Sequence, residues 1–546
     1  MKYFYILILC TWTTIVLGQQ PAILADKKVA KENYLPDFSY AGYESGLTTD
    51  FRLDKPTQLH LEDFGAKPND GLDDTKAIQK AMAKAHEVEG PVEVIFPAGE
   101  LILSEVLFVT RSNIVLTGDG SGDDGTVIYC PRPMSYMADP EPLKELREYL
   151  VKLDKRQKEP QNNIDLPFSQ YAWSGGMIWT YVPGERIKTY LPEYNQKAIV
   201  LAHLESGKMG ALTATVDDTS ELKKGDVVQV EWFNKGGEKG SLLDQLYKRD
   251  EVKIGSHHWE YPDEPLVKQQ LRIANVKGNT IEFSGPLLLD INKEWAPQIT
   301  AWKHLEHVGV QHLQFKFPMA PNIAHHVEEG YNAIYLTRLF DGWVNDVVIK
   351  NADSGILTEE AASLTISNIT TSGDKIAHYS VYIGGVHNVL VDHLKVYNEV
   401  RHALSFNTLA TKNVYTHCEV FTAPVLDQHA GANHQNLFDN IVMDVDLGSK
   451  RSYPLFKGGG AGYWKPSHGA YSTFWNINLH FKNGHDSQDA VLLNGMDDGS
   501  YARLVGIHAD LPVKIEYGPD AYIELTNQQP EISSLYQYQL EKRKRK

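Results

Sequence analysis

The chain has 546 residues, of which 42% are hydrophobic, and a formal net charge of −17. That length suits one large or two ordinary domains, and so acidic a balance argues against nucleic acid as a partner. Past the first 18 residues no segment reads as a membrane span, and the two remaining cysteines, Cys130 and Cys418, are too far apart in sequence to suggest a disulfide framework.

Residues 1–18 carry one basic residue, an apolar run and a small residue at the end, the pattern of a secretory signal peptide, which implies a periplasmic or secreted protein. Residues 19–50 are polar with scattered aromatics and read as an N-terminal arm draped over the body. Within residues 51–130, Asp73 or Asp74 can cap a helix whose apolar face is Ala77, Ile78, Ala81, Met82 and Ala85, and short strands follow at Val92–Gly99 and Asn113–Gly120.

Residues 131–300 break this pattern and read as insertions. A charged amphipathic helix begins at Glu141, and an aromatic, glycine-containing segment runs from Tyr171 to Trp179. Period-two stretches at Ala211–Val216, Asp226–Trp232 and Gln270–Leu287, with Lys277-Gly-Asn-Thr280 as a hairpin turn, predict a small antiparallel β module. Trp259 sits in a turn-rich segment between those strands, where an insertion can wall a groove.

From 301 to about 525 short apolar segments recur. Taking Leu364, Val389, Val414 and Leu437 as equivalent gives spacings of 25, 25 and 23 residues. β-Branched and aromatic residues at that period, without a helix per repeat, predict a solenoid of stacked β rungs. Asn351, Asn368, Asn388, Asn413 and Asn436 fall near rung corners, as a ladder satisfying turn backbone would require. Residues 526–546 form a basic tail expected to be solvated and mobile.

The stretch Leu61-Glu-Asp-Phe-Gly-Ala-Lys-Pro-Asn-Asp-Gly-Leu-Asp-Asp-Thr-Lys-Ala-Ile-Gln79 resembles the opening of the pectate-lyase-like superfamily, with one extra residue between Ala66 and Asp70. The resemblance implies an all-β fold, a right-handed parallel β-helix (solenoid) with a short N-terminal capping helix, to which the sequence adds the inserted antiparallel β module. It also implies a carbohydrate substrate.

Histidines crowd the repeat region. Arg401-His402 and His429/His434 lie close to one rung apart, and Lys457-Gly-Gly-Gly-Ala-Gly-Tyr-Trp-Lys-Pro-Ser-His468 offers a mobile, glycine-rich lid. No metal site is expected: His325-His326 and His257-His258 are adjacent pairs that point opposite ways on a strand, and no H-E-x-x-H or Cys/His zinc spacing occurs. No cofactor is expected, with calcium as a possibility.

Two chemistries follow from the resemblance. The hydrolase pattern of N-T-D, D-D and G-H-G motifs is missing here, since Asn407-Thr408 is followed by Leu409. The other is β-elimination from a uronic acid, which needs a base, a cation and an acid. Arg401 fits the carboxylate, His402 or His434 the base, and Tyr463 or His468 the acid. His429, Lys457, Trp464, Lys465 and Trp259 are the candidate substrate-binding residues. The expected activity is elimination across C4–C5 of an acidic polysaccharide or its oligosaccharides, as a lyase or, by loss of water at a chain end, as a dehydratase, by a monomer without nucleic-acid partners. The alternatives are an inverting hydrolase using Asp374, Glu399 or Asp427, and a non-catalytic glycan-binding β-helix.

Overall fold

The computed structural model describes residues 19–138, 140–154, 168–187, 198–255, 261–321, 323–429, 431–460, 462–485 and 489–545. The expected signal peptide and Trp259 lie outside the described residues. The body is a parallel β-helix: one sheet of 17 strands, one of seven and one of three run along it, and every ladder within them is parallel.

The helix Thr75–Glu87 buries Ala77, Ile78, Ala81, Met82 and Ala85 against the first rungs. Asp74 at its N-cap position makes no side-chain capping bond to the helix. Asp73 accepts from Thr75 N at 2.9 Å, while Asp74 accepts from Lys67 N and Ile102 N, tying the preceding loop to a rung strand.

Ladder register corrects the repeat by one residue. Thr365 pairs with Leu390, Leu390 with Val414 and Val414 with Leu437, so the equivalent of Val414 is Leu390 and not Val389. A one-residue slip exchanges the two faces of a strand. Both faces are apolar here: Val389 points into the solenoid core, whereas Leu390, Val414, Leu437 and Trp475 point outwards and are covered by Ile23, Phe38 and Ala41 of the arm. The arm is thus a second wall, with its own core.

The long strands bend at one column of left-handed residues, stacked rung on rung: His312, Asp346, Asn368, His393, His417, Asn440 and Asn476 have φ of 58°, 54°, 55°, 58°, 50°, 49° and 52°. The expected asparagine ladder is present in part: Asn351 and Asn388 also have positive φ, and Asn413 Nδ2 donates to Asn436 Oδ1 at 3.0 Å inside the body.

The insertions form two units. Helix Glu141–Asp154 packs Leu143, Leu146 and Leu150 on the main core, and Ile178–Thr180 is itself a rung strand between Leu107–Val109 and Asn332–Thr337, so the rungs are less interrupted than expected. The predicted antiparallel module is a closed six-stranded barrel, with Lys277 paired to Thr280 across the predicted hairpin. It seats on the solenoid through Leu409 and Ala432, corner residues with φ of 59°.

The basic tail is ordered, against expectation. Leu535–Lys544 is a helix with Leu535 and Tyr536 buried, and Arg543 lies over the Tyr40 ring at 4.1 Å. Asp439 holds its start, accepting from Ser534 Oγ at 2.5 Å and Leu535 N at 2.8 Å as well as from Thr416 Oγ1 at 2.9 Å. Burial pushes the Asp439 carboxyl up to about 6, with those donors acting against it.

Between about pH 4 and 6 the folded chain therefore keeps a proton that the unfolded chain has released, and this group makes stability fall as pH rises through that window. Asp439→Asn cannot ionise, so the drop in Tm between pH 4 and pH 7 should be smaller in the variant. An unchanged pH profile would refute the assignment.

Candidate functional site

The seven-stranded sheet ends with Ala377–Ile383, Val400–Asn407 and Leu426–His429, stacked in that order. Parallel stacking brings residues about one rung apart in sequence side by side, so His378, His402, Asp427 and His429 meet although 24 residues separate His378 from His402 and 25 separate His402 from Asp427. Asp427 Oδ2 lies 3.0 Å from His402 Nδ1 and 3.2 Å from His429 Nδ1, and accepts from Ser405 Oγ at 2.5 Å. Asn407 Nδ2 donates in turn to Ser405 Oγ at 2.8 Å.

A loop folds over these rungs. His325 and His326 sit in a turn, where His326 has φ 71° and the two rings stack with centroids 3.7 Å apart. His325 Nε2 is 3.1 Å from His378 Nε2, and Glu328 Oε1 is 3.1 Å from His378 Nδ1. The loop is fixed at both ends. Ser169 N donates to the His326 carbonyl at 2.7 Å, with Phe168 and Trp173 against the His326 ring, while buried Asp353 accepts from Gly330 N and Tyr331 N and pairs with Lys375 at 2.6 Å.

Five imidazoles and two carboxylates thus share one desolvated volume. Burial is the main cause that pushes His402 and His326 down to about 3, and it drives His325 and His378 down as well, the neighbouring rings and the Arg401 and Lys457 charges adding to it for one or other of them. Burial opposes ionisation of Asp427, but the two imidazoles facing it outweigh that and hold its carboxyl well below the usual range. His402 and His429 therefore each present Nδ1 to a carboxylate. The side chain of His402 is only 3% exposed and its Nε2 has no hydrogen-bond partner among the described residues, whereas that of His429 is 23% exposed.

Of the residues expected from sequence, His402 and His429 are here, with Arg401 and Lys457 near enough for their charges to act on the cluster. Lys457 O also accepts from Gln428 N at 3.0 Å. His434 is not. It lies at the rung corner below the barrel, buried, with Nδ1 3.0 Å from Ala432 O, because the register aligns it with Thr411 and not with His402. His468 is also excluded from the cluster: it is fully buried, its Nδ1 2.6 Å from Gly469 O and its Nε2 2.6 Å from Tyr517 Oη. Lys465 is engaged with Ser467 Oγ at 2.5 Å and Asp498 at 3.4 Å, and Trp464 is half-buried with its carbonyl accepting from Gly431 N. The side chain of Tyr463 lies outside the described residues.

The glycine-rich segment is less a free lid than a strand-edge extension. Gly459 N donates to Gln428 O at 2.9 Å, and Gly458 bridges Gln428. Sequence reasoning missed His325, His326, His378 and Glu328. The His325-His326 pair lies in the loop that Pro318, Pro321 and Gly330 signal in the sequence, so its two rings are not held to opposite faces of a strand. Of the hydrolase carboxylates, Asp374 and Glu399 are exposed and Asp427 is buried between imidazoles.

Three ligand atoms from His325, His326 and His378 lie within 4.8 Å of one another, as do three from His402, Asp427 and His429. A third group, Asp392, His393 and His417, lies elsewhere, on the outer side of the long sheet.

Among curated proteins there is no significant match. Solved structures to which the chain is similar include the tailspike protein gp49 from Pseudomonas phage LKA1, at 12% identity and TM-score 0.46, covering 85% of this chain and 81% of that one. DFA-IIIase from Arthrobacter chlorophenolicus A6 without its lid matches at 10% identity and TM-score 0.40, covering 86% and 94%. The Azotobacter vinelandii mannuronan C-5 epimerase AlgE4 A-module matches at 12% identity and TM-score 0.35, covering 87% and 97%. Residues 60–130, the capping helix and first rungs, match the family model described as rhamnogalacturonase A/epimerase, pectate lyase-like, so the opening of this parallel β-helix chain is similar to that family.

Proposed function

We propose that the protein acts on an acidic glycan and eliminates across C4–C5 of a uronic acid residue at the Asp427 site. The observation that carries this reading is the partly exposed His429 imidazole, backed by buried Asp427, in a cluster whose His378 feels the charges of Arg401 and Lys457. The match of the first rungs to a pectate-lyase-like family model supports a carbohydrate substrate.

In this scheme Asp427 fixes the tautomer of His429 with its proton on Nδ1, leaving Nε2 to take the proton from C5. Arg401, through its planar fork, and Lys457 pair with the uronate carboxylate and stabilise the enolate formed as the C5–H bond breaks. The electron pair then forms the C4–C5 double bond and the C4–O bond breaks. Tyr463 is the proposed proton donor to the leaving oxygen. A sugar on that oxygen makes the enzyme a lyase, and a bare hydroxyl makes it a dehydratase.

The test is incubation of the mature protein with uronic-acid oligosaccharides, following ultraviolet absorbance and product mass together. Absorbance with shorter products identifies a lyase, and absorbance with loss of one water at constant chain length a dehydratase. Shortening without absorbance refutes elimination in favour of hydrolysis, and deuterium uptake at C5 without absorbance means that the proton is returned, as in epimerisation. His429→Ala and Arg401→Ala should each slow elimination by about 10²–10⁴-fold.

Gly459 gives an independent check, because a Cβ there would stand 2.0 Å from His429 Nδ1. Gly459→Ala should displace that ring from Asp427 and lower turnover at least about tenfold, at a stability cost of about 1–3 kcal/mol or less. Full activity in a folded Gly459→Ala protein would remove His429 from the mechanism.

A further inference from the structure

We propose that His325, His326 and His378 form a binding site for one divalent transition-metal ion, of the zinc or cobalt kind. Their three ligand nitrogens lie within 4.8 Å of one another, and His325 Nε2 faces His378 Nε2 at 3.1 Å. Two metal–nitrogen bonds of about 2.0–2.1 Å at a roughly tetrahedral to right angle span about that distance. Without an ion, one of those nitrogens must carry the proton of a single weak contact. With an ion, both lone pairs are used.

Three further features fit. Glu328 Oε1 stands 3.1 Å from His378 Nδ1, which has no hydrogen-bond partner among the described residues, so a carboxylate is at hand on the side of the ring away from His325. His402 borders the trio, its ring centroid 5.3 Å from that of His378, and brings a buried Nε2 without a hydrogen-bond partner among the described residues. The Glu328 and Asp427 carboxylates lie beside the cluster, and their charge is opposite in sign to the nearby Arg401 and Lys457. An all-imidazole donor set selects a borderline transition metal; calcium wants oxygen.

The site is read without glycan, so its failure leaves the elimination scheme untouched. The protein, stripped with EDTA, is titrated with Zn²⁺ by calorimetry and with Co²⁺ by visible absorption, with circular dichroism confirming the fold of each variant. Expected are one equivalent of Zn²⁺ with a Kd in the micromolar range or tighter, a cobalt ligand-field band, and no Ca²⁺ binding. His325→Ala and His326→Ala, both in the loop, should abolish the first equivalent or weaken it more than about 100-fold, and Glu328→Gln should weaken it by about 10–100-fold. His393→Ala, in the exposed outer cluster, should leave it unchanged. No saturable zinc binding, binding unaffected by His325→Ala, or loss on His393→Ala would each overturn the assignment.

Discussion

A single buried carboxylate organises the site. Asp427 is fully shielded from water, and a charge so placed is tolerated only when donors satisfy it. His402, His429 and Ser405 supply them at Oδ2 from the same strand and the adjacent rung, while Oδ1 has no hydrogen-bond partner among the described residues. Removing one partner of such an arrangement costs about 3–5 kcal/mol, since it strands the other charge in a poor solvent. The carboxylate therefore fixes which nitrogen of His402 and of His429 is free.

The solenoid makes that arrangement affordable in chain terms. Parallel rungs repeat every 23 to 25 residues across this part of the body, so side chains distant in sequence stack in columns without any special loop. One column is the run of left-handed residues that bends the long sheet, and another is the histidine and aspartate series at the end of the seven-stranded sheet. The insertions then finish what the rungs begin: the segment around Phe168 and Trp173 presses the His325-His326 turn onto the rungs. The result is a water-poor volume in which five imidazoles, two carboxylates and two cations act strongly on one another.

The outer wall has a comparable logic. Sheets of a β-helix usually need one apolar face, but here Leu390, Val414, Leu437 and Trp475 make the second face apolar too, and the N-terminal arm and C-terminal helix cover it. Asp439 is to that wall what Asp427 is to the site: a buried carboxylate receiving donors from Ser534, Leu535 and Thr416, which joins the tail to the rungs.

Local pattern in the chain determined much of this. The D-F-G-A to A-I-Q stretch carried the resemblance that implied a capped β-helix, while the 23–25 residue spacing and the period-two stretches were enough for the rungs and an inserted antiparallel module, because those two depend on hydrophobic periodicity over a short window; its closure into a barrel was not legible there. His402 and His429 were legible for the same reason, as residues close to one rung apart. Tertiary structure decided the rest. Which of Val389 and Leu390 faced inwards depended on a covering arm more than 300 residues away, and His434 left the site because ladder register set it beside Thr411. His325 and His326 joined it because a turn, not a strand, carries them and a distant insertion holds that turn down. Burial then chose between His402 and His429, which share one carboxylate and differ chiefly in access to water.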